Sequence, residues 1–96
     1  MSNGTKFVLV HYSGSGSAPP DRAEFRYGWI SLDGGKIWTI KWDTAARFGD
    51  AVNALTHIHG AAHDPWEDRF FINEGHDTAT GVYVSYDNGE TWAKVP

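Results

Sequence analysis

This chain contains no cysteine. Disulfides and thiolate metal sites are therefore excluded, and cysteine usage says nothing about the redox compartment. Stability must come from packing or from association with further chains. Positive charge is also scarce: Lys and Arg number eight against twelve Asp and Glu, a formal net charge of −4. The basic residues are scattered singly, so the basic face that nucleic acid or an anionic membrane would need is missing. No apolar run approaches the length of a membrane span, and Met1 to Lys6 lack the apolar stretch of a signal peptide. The expectation is a soluble chain of undetermined compartment, with neither nucleic acid nor membrane as its partner.

Aromatic residues, by contrast, are abundant. They make up 15% of the 96 residues, and five are Trp. A single domain of this length has little interior in which to bury such rings. Either the core is unusually aromatic, or part of this surface is covered by a partner.

Short β-forming runs alternate with turn signals along the chain. Strands are expected at Lys6–Tyr12, Phe25–Ser31, Ile37–Trp42, His57–Ala62, Phe70–Asn73, Val82–Ser85 and Thr91–Val95. The period of two sets Phe25, Tyr27 and Trp29 on one face of their strand, and Trp38, Ile40 and Trp42 on one face of theirs. Ser13–Pro20 (SGSGSAPP) has the composition of a flexible loop, which suits an engineered linker or a natural hairpin connection. Asp43–Thr56 reads as a connecting loop, with Asp43 placed to cap a short helical turn. Seven short strands describe an all-β chain.

One phrase is written twice. Ser31–Trp38 reads SLDGGKIW and Ser85–Trp92 reads SYDNGETW, 54 positions later. Ser31 aligns with Ser85, Asp33 with Asp87, Gly35 with Gly89 and Trp38 with Trp92, while upstream Trp29 meets Tyr83 and Ile30 meets Val84. Each phrase describes a hairpin corner. The Asp carboxylate accepts from turn amides, Gly takes a positive φ, and the Ser hydroxyl ties the incoming strand to the turn. The Trp then folds over the hairpin.

Both phrases resemble the Asp-box, or BNR repeat, written Ser-x-Asp-x-Gly-x-Thr-Trp. The second copy matches throughout: Ser85, Asp87, Gly89, Thr91 and Trp92. The first departs at Ile37, where the pattern has Thr, so one side-chain hydrogen bond is expected to be missing there. The resemblance implies β-propeller blades, with the box between the third and fourth strands of each and a structural role for it. Counting back from the second box gives a complete four-stranded blade over 57–96. The first blade, over 6–43, has only three candidate strands and lacks the inner one. The whole of 1–96 is thus one unit of two blades.

Two blades cannot close a ring, because propellers have about four to eight. Left open, the pair would expose sheet faces that neighbouring blades normally cover. Head-to-tail association into a closed ring resolves this. Two copies would give four blades, three would give six and four would give eight; the trimer is favoured, because the resemblance includes six-bladed rings. The alternative is an excised piece of a larger protein.

Function is less legible than architecture. Three classes stand side by side: an assembly module that also binds a small ligand or glycan, a metal-binding ring, and a fragment of a sialidase-like hydrolase. Trp42, Trp66 and Tyr86 are candidates for stacking on a sugar, and His63, Glu74 and His76 for lining a mouth of the ring. His57 and His59 share one side of the strand expected to border the channel, where ring symmetry would multiply them into a zinc or nickel site. Sialidase chemistry is not expected. The chain has four arginines, and Phe25-Arg26-Tyr27-Gly28 does not reproduce the Arg-Ile-Pro signature of that family. No cofactor and no catalytic residue are assigned.

Overall fold

A computed structural model describes residues 5–10, 27–48, 57–75 and 80–96. The described residues form two antiparallel sheets. The first comprises β1 (Phe7–Val10), β2 (Tyr27–Ser31) and β3 (Thr39–Asp43), in that order. After a single helical turn, α1 (Thr44–Phe48), the second comprises β4 (His57–Asp64), β5 (Arg69–Gly75), β6 (Gly81–Ser85) and β7 (Ala93–Lys94). Every expected strand has a counterpart, and the described residues are all-β apart from that turn. Among the described residues the first sheet has three strands and no equivalent of β4. The loop over Ser13–Pro20, together with Phe25, Arg26 and His76, lies outside the described residues.

α1 forms where a loop was expected, and Asp43 explains its start. The Asp43 Oδ1 accepts from the Ala46 amide at 3.2 Å, as an N-cap does.

Two bulges correct the period-of-two reading. Gly28 pairs with Trp42 but Trp29 pairs with Ile40, so Lys41 is an extra residue in β3. One inserted residue moves the side chains beyond it to the other face of the sheet. Trp42 is 2% exposed, whereas Ile40 is 48% exposed and Trp38 lies before the strand begins. Those three residues therefore do not share a face. The second bulge is at His59: Ile58 pairs with Glu74 and Gly60 with Asn73, so His59 is the extra residue in β4. Ile58 is fully buried and His59 is exposed.

The sheets stack face to face. β1 and β2 present Val8, Val10, Gly28 and Ile30, and β5 and β6 answer with Ile72 and Tyr83. Trp42, Ile58, Ile72 and Tyr83 form the buried cluster, with Val8, Val10, Ala61 and Trp92 packed around it. Full burial of an Ile or Phe side chain stabilises by roughly 1.5–3 kcal/mol. Gly28 is required by this approach: a Cβ there would stand 2.9 Å from Ile72 Cδ1 and 3.1 Å from Trp42 Cβ.

Ionic contacts close the rim. Lys6 Nζ donates to Asp68 at 2.6 Å and to Asn88 at 3.0 Å, joining β1 to the β4–β5 turn and the second box. Lys41 pairs with Glu90. Arg47, in α1, donates to the Trp92 carbonyl at 2.7 Å and lies over the rings of Trp42 and Tyr83.

Candidate functional site

The two boxes sit on the same rim of the stack, where β2 and β6 end, and they fold alike. In the second, Ser85 Oγ donates to Asp87 Oδ1 at 2.8 Å and accepts from the Gly89 amide at 2.8 Å. The Asp87 carboxylate accepts from the Thr91 amide at 2.9 Å and from the Thr91 hydroxyl at 2.6 Å. In the first, Ser31 Oγ donates to Asp33 at 2.9 Å and accepts from the Gly35 amide at 2.9 Å. Asp33 accepts from the amides of Lys36 and Ile37 at 3.1 and 3.0 Å, and Ile37 supplies no hydroxyl. Gly35 and Gly89 carry φ values of 96° and 88°, where only Gly is at ease.

These groups are held, not poised. The Thr91 hydroxyl and amide, with Ser85, bring the Asp87 carboxyl down to about 2. The Ile37 amide and the Ser31 hydroxyl lower Asp33 in the same direction. Ser31 and Ser85 are 0% and 1% exposed, out of reach of a substrate. The boxes are turn staples.

The box tryptophans differ in what they touch. Each donates its indole N–H to its own box: Trp38 to Gly35 O at 2.9 Å, Trp92 to Gly89 O at 3.0 Å. Trp92 alone also reaches the other sheet, donating to Lys41 O at 2.9 Å. Its ring meets the edge of Trp42 at 5.2 Å. Beside the first box lies an open hollow of about 160 Å³, lined by Ile30, Leu32, Asp33, Ile37, Thr39 and Lys41. Its two charged groups are already engaged, Asp33 by its box and Lys41 by Glu90.

Away from the boxes, where β3 and β5 end, a carboxylate is buried. Glu74 is 1% exposed, and its Oε2 accepts from Trp42 Nε1 at 2.7 Å and from the Thr44 hydroxyl. Its Oε1 has no hydrogen-bond partner among the described residues. Burial pushes the Glu74 carboxyl above its usual range, and the two donors offset only part of that. Tyr83 is raised too, by its own burial and by the nearby Glu74.

The ligand candidates named from sequence do not form one site. Trp42 and Glu74 are interior groups of the sheet-to-sheet junction. Trp66, Tyr86 and His63 belong to the box rim. Trp66 is 90% exposed at the β4–β5 turn, and Tyr86 is 62% exposed with its hydroxyl accepting from Arg69 at 3.0 Å. His63 is bonded to Asp68 at 3.0 Å and rests on Phe70. His76 lies outside the described residues, as does the side chain of His57. His59 lies against Gly75, its ring atoms 2.0 Å from where a Cβ would stand. Among the described residues no group of three His, Cys, Asp or Glu is close enough to hold a metal ion.

Thr44, Arg47 and Lys6 escaped the sequence reading as junction residues. Their partners lie 30 or more positions away, and no local pattern marks them. No protein-family model, curated protein or solved structure matches this chain.

Proposed function

We propose that this chain is a two-blade unit of an Asp-box β-propeller and that its function is assembly. Copies associate head to tail, and three copies close a six-bladed ring. One observation carries the reading: among the described residues, each end of the two-sheet stack presents a partly exposed apolar face. On the first sheet Phe7, Leu9, Trp38 and Ile40 are 44%, 49%, 40% and 48% exposed. On the second, Val82 and Val95 are each 39% exposed. Apolar faces of this kind on a small chain mark a surface meant to be covered.

Catalysis has no part in this reading. The box carboxylates and hydroxyls are spent on their turns, and Glu74 is sealed in the junction. Any ligand would meet the assembled ring, at its axis or on its rim. Small-angle X-ray scattering tests the proposal. A flat disc with a central channel and three times the 10.6 kDa chain mass is expected. Scattering from a single chain would sink it.

A further inference from the structure

The two sheets are related closely enough for one junction to specify another. β2 and β6 are equivalent at a spacing of 54, and their pairings agree: Ile30 faces Thr39 as Val84 faces Ala93, and Trp29 faces Ile40 as Tyr83 faces Lys94. β1 and β5 are equivalent too, since Phe7 pairs with Ser31 as Phe70 pairs with Ser85, and Leu9 with Trp29 as Ile72 with Tyr83. The face of the second sheet that is buried in the chain therefore corresponds to the bare face of the first. Phe70 and Ile72 are 0% and 1% exposed, while their counterparts Phe7 and Leu9 are 44% and 49% exposed. Likewise the covered face of the first sheet, with Gly28, Ile30 and Lys41, corresponds to Val82, Val84 and Val95 on the outer face of the second.

Resting on the assembly proposed above, we infer that the outer face of β6 and β7 is the docking site for a second copy's first blade, in the geometry of the junction inside the chain. Two internal contacts translate directly. At a third, where Ile72 reaches Gly28, the equivalent pair is Leu9 and Val82, and the Val82 side chain sets the two sheets further apart there than at the internal junction. Gly89 is pressed onto Ile30 and Lys41, each 2.7 Å from where its Cβ would stand, so Gly35 seats on Val84 and Val95. Gly35 has room for this: among the described residues the one atom near where its Cβ would stand is Trp38 Cζ2, at 3.8 Å. Trp92 donates across the junction to Lys41 O, so Trp38 donates to Val95 O of the neighbouring copy. The occupant is thus another copy of this chain, because its bare face is built like the face already seated in the internal junction. Charge is compatible as well. Where Glu90 meets Lys41 inside the chain, Lys36 meets the uncharged Val95 between copies. The contact joins two different patches, which is what lets copies add head to tail and close.

Two variants separate this arrangement from any other self-association. Leu9→Lys disables only the first-blade face, and Val82→Lys only the second-blade face. Each alone is expected at the mass of one chain, with the circular dichroism of the wild type and a cooperative melt at a lower temperature. An equimolar mixture is expected to form a dimer and stop there, because one good patch of each kind remains. Trp38→Phe keeps a ring in place but removes the donor, and is expected to dissociate at about tenfold higher concentration than wild type, for the loss of one hydrogen bond at each of the three junctions of the ring. A wild type that is itself monomeric overturns the assembly reading as a whole. An assembled wild type whose folded lysine variants stay assembled alone, or fail to pair when mixed, overturns the docking geometry and leaves assembly standing. If either lysine variant fails to fold, unchanged dissociation of Trp38→Phe overturns the geometry in its place.

Discussion

The two boxes are the same staple in different company. The second has its full set of bonds, and its glycine and tryptophan are pressed against the first sheet. The first lacks the threonine bond, and its glycine and tryptophan face outward. Turn chemistry needs only the local phrase, so both corners form. What differs is whether a described sheet lies beyond the corner: the first sheet lies beyond the second box, and none lies beyond the first. On the proposed assembly, the uncovered box is the one that awaits a neighbouring copy.

The covered side of the comparison should be the more sensitive to damage. Trp42→Ala removes a buried ring, its donor to Glu74 and its contact with Trp92; it is expected to cost about 3–5 kcal/mol in denaturant unfolding. Trp66→Ala, at the exposed turn, should stay within about 0.5 kcal/mol. Equal effects would contradict the assignment of the core to the sheet-to-sheet junction.

Acid should distinguish the boxes next. A carboxyl lowered by folding stabilises above its unfolded value, and that contribution is lost as pH falls through the folded one. For Asp87 the window runs from about pH 4 down to about pH 2. At neutral pH Asp87→Ala should lower Tm by several degrees, and by more than Asp33→Ala does. The difference between Asp87→Ala and wild type should shrink across that window, and a constant difference would argue against the staple.

Glu74 should behave in the opposite sense. Its carboxyl is raised by burial, so its contribution is fully present below its usual value of 4.5 and is lost as pH rises through the folded value. Glu74→Gln should remove that component, giving a flatter dependence of Tm on pH above about 4.5 than wild type shows. Parallel curves would mean that Glu74 does not titrate in the folded chain. A small gain is expected from Ile37→Thr. It offers Asp33 the hydroxyl that Thr91 gives Asp87, and should stabilise by about 0.5–1 kcal/mol in urea unfolding, less any loss of Ile37 packing.

Local patterns made part of this legible in the sequence. The strands, the box corners and the missing bond at Ile37 each depend on residues within a few positions of one another. The extra residue at Lys41 was not legible, because a bulge is fixed by pairing across strands; it turned Trp42 from a candidate ligand-stacking ring into the centre of the core. Glu74 likewise looked like a group at the mouth of a ring. Its burial depends on Trp42 and Thr44, roughly thirty positions earlier, which sequence spacing does not bring together. Trp66 and Tyr86 are exposed, because turn residues with aromatic side chains have little to pack against.

The central claim, that the bare first blade is covered by another copy, is tested most directly by sedimentation equilibrium of the wild type across the micromolar range. One species at three times the 10.6 kDa chain mass is the expected result. A stable species at the mass of a single chain would contradict it.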